Sequence, residues 1–164
     1  MYSGNKLLQN SNLNEAIQFF HFLLCVRLQT LHHSHIDVAK SYFYLGIAYY
    51  NKREYDKAVE YYERSLKPSD WYKFGHDHTD VAHSYNNLGR VYKKKGEYDK
   101  AIEYYEKSLK IRLDKLGHDH IHVASLYNNL GNIYEKKGEY NKAIEYYEKS
   151  LKIRLDKLGH DHIY

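Results

Sequence analysis

Two helical patterns alternate along the second half of this chain. Val123, Tyr127, Leu130, Gly131 and Tyr134 recur mostly at spacings of three and four, which gathers them on one face of an α-helix. Lys137-Gly138-Glu139 is expected to end that helix, with Gly138 suited to the left-handed turn beyond a C-terminus and Lys136 and Lys137 suited to the negative end of the dipole. A second face follows from Ala143, Ile144, Tyr147, Leu151 and Leu155. Leu158-Gly159 is expected to close this second helix before a His-Asp-His linker. No stretch alternates with period two, so no strand is expected. The pattern predicts an all-α protein.

The same pair of faces recurs. Residues 76–117 and 118–159 match at 34 of 42 positions, and the last 18 residues of each are the same. Residues 33–75 align with them through one extra residue, where Pro68-Ser69-Asp70-Trp71 replaces Ile111-Arg112-Leu113. A fixed period in the range of about 20–50 residues marks a solenoid of stacked units. If the array has an irregular joint, it should lie at Pro68.

The N-terminal segment fits the same register. Shifted by 85 residues, Asn14 to Phe20 falls on Asp99 to Tyr105, Val26-Arg27-Leu28 falls on Ile111-Arg112-Leu113, and Gly4 falls on Gly89. The apolar stretch from Ile17 to Leu28 is thereby expected to be a second helix, with Phe where later units have Tyr. The organisation reads as a truncated, diverged repeat over 1–32, full repeats over 33–75, 76–117 and 118–159, and the start of another at 160–164. The chain is expected to be a piece of a longer array.

Small residues at fixed places predict close helix pairing. Gly46, Gly89 and Gly131 fall on the buried face of the first helix, where glycine costs up to about 1 kcal/mol of helix propensity relative to alanine. Such a recurring cost predicts a close crossing filled by an aromatic ring, with Ala58, Ala101 and Ala143 playing the same part on the second helix. Tyr49, Tyr92 and Tyr134, with Tyr62, Tyr105 and Tyr147, are expected to form an aromatic ladder.

Composition narrows the picture. The chain has 164 residues, 20 of them tyrosine and one proline, which argues against a loop-rich or all-β protein. A lone Cys25, placed in the apolar face of a helix, forms no internal disulfide and favours a reducing, cytoplasmic setting. The formal net charge of +4 falls well short of the basic stripe of a dedicated nucleic-acid binder. The stretch from Ile17 to Leu28 carries Gln18, His21 and Arg27 and falls short of the roughly 20 apolar residues of a membrane span. No small-residue cleavage site of a signal peptide follows it.

Leu88-Gly89-x-x-Tyr92 followed by Gly96-x-Tyr98-x-x-Ala101-x-x-x-Tyr105 resembles the tetratricopeptide repeat, with Tyr85 where its tryptophan often stands. The usual unit has about 34 residues. The lengthened form, with Ile-Arg-Leu-Asp-Lys-Leu-Gly-His-Asp-His before Val-Ala and Asn-Asn-Leu-Gly, is similar to the repeats of kinesin light chains and related arrays. Thr79 and Ile121 stand where that family normally has proline, and Leu113 and Leu155 replace the late proline of the shorter unit.

The resemblance implies a right-handed superhelix of antiparallel helix pairs whose first helices line a concave groove for peptides or protein segments. Carried over by position, the groove takes Lys40, Phe43, Tyr44 and Ile47 from the first unit. The second gives His83, Asn86, Asn87, Arg90, Lys93 and Lys94, and the third gives Ser125, Asn128, Asn129, Asn132, Glu135 and Lys136. Asparagine amides pair with an extended main chain, the cations favour acidic residues, and Phe43 and Tyr44 favour an apolar anchor. The expected partner is an acidic segment with an aromatic or aliphatic side chain. Phe43 and Ile47 do not fit the Lys/Asn/Arg clamp of chaperone-binding members.

Other chemistries find little support. His33-x-His35, His76-x-His78, His118-x-His120 and His160-x-His162 recur as pairs without the third or fourth convergent ligand a zinc site needs, so no metal or cofactor is expected. No glycine-rich phosphate loop or nucleophile constellation stands out, and Glu103 and Glu106 beside Lys107 read as solvated helix charges. The expected function is a non-catalytic interaction scaffold. The alternatives are a helical-repeat RNA-binding module, which needs base-reading side chains in each unit, or a purely structural, self-assembling array. Ile144, Tyr147 and Leu151 on the last helix lack a polar cap, so end-to-end association is expected as well.

Overall fold

The computed structural model describes residues 12–33, 35–66 and 78–161. They form seven α-helices and, among the described residues, no strand. In chain order these are α1 (Leu13–Thr30), α2 (Ile36–Asn51), α3 (Tyr55–Leu66), α4 (His78–Lys95), α5 (Tyr98–Leu116), α6 (Ile121–Lys136) and α7 (Tyr140–Asp161). The chain divides into two compact units, Met1–Asp77 and His78–Tyr164. The expected joint at Pro68, the Gly4 correspondence, His76 and His162 lie outside the described residues.

The first unit holds α1, α2 and α3. Ala16, Ile17, Phe20 and Leu24 of α1 are buried, and Phe20 stacks on Tyr44 of α2 at 5.2 Å between ring centroids. Phe22, by contrast, is 69% exposed. The apolar stretch of α1 thus splits between a face covered by α2 and a face left open. Cys25 falls on the open side, which corrects the expectation that it belongs to the packed apolar face: it is exposed, and its sulfur accepts a long contact from Gln29.

Short turns set the helix pairs. After α2, Arg53 N–H donates to Tyr50 O and Glu54 N–H to Tyr49 O, both at 3.0 Å. Gly96 to Lys93 with Glu97 to Tyr92, and Gly138 to Glu135 with Glu139 to Tyr134, repeat the arrangement. This is the paired bonding of a Schellman turn, and its central residue must adopt positive φ. Gly96 and Gly138 have φ of 78° and 77°, and Arg53 carries 64° in the same place. The glutamate after each turn then begins the second helix, since its carbonyl accepts from Ala58, Ala101 or Ala143.

The second unit holds two such pairs, α4 with α5 and α6 with α7. Leu88, Val91, Leu130 and Ile133 are fully buried, and Val123, Ala124 and Ile153 form a core against which Leu109, Leu113 and Tyr127 pack. At each crossing a Cβ added to glycine would meet a tyrosine ring: 2.6 Å from Tyr62 at Gly46, 2.7 Å from Tyr105 at Gly89, and 2.8 Å from Tyr147 at Gly131. The predicted ring-filled crossings are therefore present.

The ladder differs from expectation. Tyr49 stacks on Tyr61 at 5.1 Å, Tyr92 on Tyr104 at 5.3 Å and Tyr134 on Tyr146 at 5.4 Å. In each Tyr-Tyr doublet the first ring stacks and the second fills the glycine crossing, because neighbouring positions on a helix point about 100° apart. The last helix also differs. Glycine ends α5, where Gly117 has φ of 81° and its N–H bonds Leu113 O, yet α7 runs through Gly159 to Asp161.

Candidate functional site

Three first helices carry the predicted surface, α2 in one unit and α4 and α6 in the other. On α2, Lys40, Phe43, Tyr44 and Ile47 are half-buried. Phe43 sits 5.8 Å from both the Tyr44 and Tyr62 rings, while Tyr44 is held by the Phe20 stack. Both rings therefore serve the packing of their own unit and offer only their remaining edges to a ligand.

Between α4 and α6 an amide contact joins positions one step off the 42-residue register. Asn129 donates from Nδ2 to Asn86 Oδ1 at 3.4 Å, linking the two helices through their amides. Asn86, Asn87, Asn128, Asn129 and Asn132 are all half-buried. Arg90 donates to Asn87 Oδ1 at 3.3 Å, and Asn132 donates to the Asn128 carbonyl at 2.8 Å. Each amide offers two donors and an acceptor oxygen with two lone pairs, so these bonds leave capacity for a peptide main chain. His83 lies 6.3 Å from His122, edge to face.

A positive patch lies at the C-terminal ends of α4 and α6. Burial pushes the Lys93 ammonium below its ordinary range, and Lys94 and Lys136 push the same way while Glu135 opposes them. Glu135 is not idle, since it accepts the Tyr147 hydroxyl at 2.7 Å. Burial and that bond push the Tyr147 phenol up to about 12. The arrangement offers lysine charge beside amides, with one carboxylate set among them.

The tetratricopeptide repeat profile matches residues 80–156 and again residues 39–67, together nearly two thirds of the chain. The chain belongs to the tetratricopeptide repeat (TPR) family. Its repeats are similar in fold to kinesin light chain TPR-like repeats, and three solved structures show the likeness. The kinesin light chain TPR-like repeats of Podosopora anserina share 21% identity at a TM-score of 0.76, over 94% of this chain and 72% of that one. BtubC (BKLC) of P. vanneervenii shares 28% at 0.82, over 93% of this chain and 60% of that one. MamA shares 28% at 0.69, over 95% and 77%. A search of curated proteins returns no significant match. TPR arrays are protein-interaction scaffolds, and among the described residues no helix is long and apolar enough to cross a membrane.

Several features of this TPR protein escaped the sequence reading. The second histidine of the linker pair caps a helix, for His35 Nδ1 accepts from Asp37 N–H at the start of α2 and His120 Nδ1 from His122 N–H at the start of α6. Among the described residues no three His, Cys, Asp or Glu side chains gather as a metal site would need. Lysines also ride on the stacked tyrosines, with Lys57 over Tyr49, Lys100 over Tyr92 and Lys142 over Tyr134, each 5.1 Å from the ring centroid. Glu54, Glu97 and Glu139 hold those lysines at 2.7 Å, and the bonds keep all three carboxyls below their usual range. The recurring Glu-Tyr-x-Lys spacing was the available signal.

Proposed function

We propose that this TPR protein is a non-catalytic cytoplasmic scaffold that holds an acidic peptide or protein segment against its first helices. The observation that carries the reading is the amide link between Asn86 and Asn129. It joins two half-buried asparagines of α4 and α6, and Lys93, Lys94 and Lys136 follow toward the C-terminal ends of the same two helices. Half-buried amides hold their geometry without losing hydrogen-bonding capacity, which is what recognition of an extended main chain needs. The lysines add attraction for acidic side chains and speed encounter. The first unit, taken by itself, offers the edges of Phe43 and Tyr44 beside Lys40 to an apolar side chain.

A peptide library varied in acidic and aromatic content tests the proposal. The tightest binder is then titrated against the native chain and against Asn87→Ala combined with Asn129→Ala. A loss of about tenfold is expected, as one to two hydrogen bonds contribute. Unchanged affinity in the double variant removes the surface from consideration. Salt-sensitive binding of random RNA in place of peptide would favour the RNA-reading alternative.

A further inference from the structure

The junction of α1 with α2 shows how this fold holds an arginine between successive repeats. Arg27 donates from Nη1 to Ser41 Oγ at 2.7 Å and to the Asp37 carbonyl at 2.8 Å. Its Nη2 lies 3.9 Å from Asp37 Oδ1. The guanidinium thus has a carboxylate, a carbonyl and a hydroxyl around it, all from the start of α2.

The 85-residue register carries Arg27 onto Arg112, Asp37 onto His122 and Ser41 onto Leu126. At the α5–α6 junction the arginine is kept and both of its side-chain acceptors are lost. An imidazole replaces the carboxylate, and an isobutyl group replaces the hydroxyl. Arg112 is only 6% exposed, and its Nε is buried without a hydrogen-bond partner among the described residues. A buried cation left this way is costly, and such sites normally carry a counter-charge.

The surroundings are also positive or able to become so. The first turn of α6 holds no acidic residue, unlike those of α2 and α4. The His122 ring lies 4.9 Å from His120 and 6.3 Å from His83 of α4. Burial lowers the His122 pKa, and Arg112, His120 and His83 lower it further. Burial alone depresses Arg112.

We propose that the α5–α6 junction is an anion subsite, in which a carboxylate or phosphate group of a ligand supplies the counter-charge that the Asp37 side chain supplies at the α1–α2 junction. Arg112 supplies the charge through its guanidinium, His122 supplies a second donor, and the N-terminal end of α6 adds its positive dipole. His83 is shared with the proposed peptide surface, but the subsite does not depend on a peptide being bound there.

The test is thermal unfolding of the whole chain in sodium acetate or sodium phosphate against sodium chloride of equal ionic strength. Binding at about tenfold the dissociation constant should raise the native Tm by about 3 °C. A response to acetate assigns a carboxylate ligand and a response to phosphate a phosphate-bearing one; either supports the proposal. Arg112→Gln should lose the response. His122→Asp restores the carboxylate of the first junction and leaves the buried Leu126 in place, so it should raise Tm in chloride and also lose the response. General salting effects of these anions persist in both variants and are thereby subtracted. A native chain that responds no more than Arg112→Gln overturns the proposal, as does a rebuilt junction that responds as the native one does.

Discussion

The glycine–tyrosine crossing shows how one side chain sets the spacing of a helix pair. A methyl group at Gly89 would stand 2.7 Å from Cδ1 and 2.9 Å from Cγ of Tyr105, a ring that is 1% exposed and pinned near its root. Alanine returns about 1 kcal/mol of helix propensity, whereas overpacking a close-packed core costs about 1–3 kcal/mol. Gly89→Ala should therefore destabilise by up to about 2 kcal/mol. Gly131→Ala should cost less, because Tyr147 is half-buried and its ring can tilt toward solvent. Urea denaturation of the two variants checks the order; equal losses would mean that the mobility of the ring does not matter. The crossing was legible from small residues recurring in register. Which ring of the doublet filled it was not, since both tyrosines are the same residue type and only three-dimensional packing separates their roles.

At the level of the helix, local sequence sets some ends and tertiary context sets others. Gly96 and Gly138 were readable as left-handed turns because glycine is the residue that adopts positive φ without strain. Arg53 gave no such sign, and only its register, Lys52-Arg53-Glu54 against Lys-Gly-Glu, places it in the same turn. A left-handed residue with a side chain costs about 1–2 kcal/mol, and glycine returns part of that gain as unfolded-state entropy. Arg53→Gly should raise stability by up to about 1 kcal/mol, seen as a higher Tm; a lower one would show that the arginine side chain contributes more than its backbone costs. The 18 residues shared by α5 and α7 make the complementary point. Gly117 stops α5 where the chain turns to lay α6 against it, whereas α7 continues through Gly159 on the same local sequence. Local sequence permits the stop, and the packing of the following helix imposes it.

Across the whole molecule, repetition of sequence does not bring repetition of environment. Ile102, Leu109 and Leu113 of α5 are half-buried, with Leu109 and Leu113 packed on the core that holds Val123 and Ala124 of α6. Their counterparts on α7, Ile144, Leu151 and Leu155, are 55%, 54% and 55% exposed. The fold, the helix pairing and this uncovered face were all legible, because each follows from where apolar residues recur. The Arg112 junction was not, since its meaning lies in two absent acceptors and becomes visible only against the intact junction at Arg27. The α7 face matches in sequence a surface that already packs on a Val-Ala helix within the same chain, and apolar area left open drives association. The 164-residue chain should therefore self-associate through α7. Sedimentation should show an average mass that rises with concentration, and Leu151→Lys combined with Leu155→Lys should return it to the monomer. Both leucines are exposed, so the variant should unfold at a temperature close to that of the native chain, which separates loss of contact from loss of fold. A native chain that stays monomeric at high concentration, or a double variant that still associates, places the contact elsewhere and leaves α7 to a different helix.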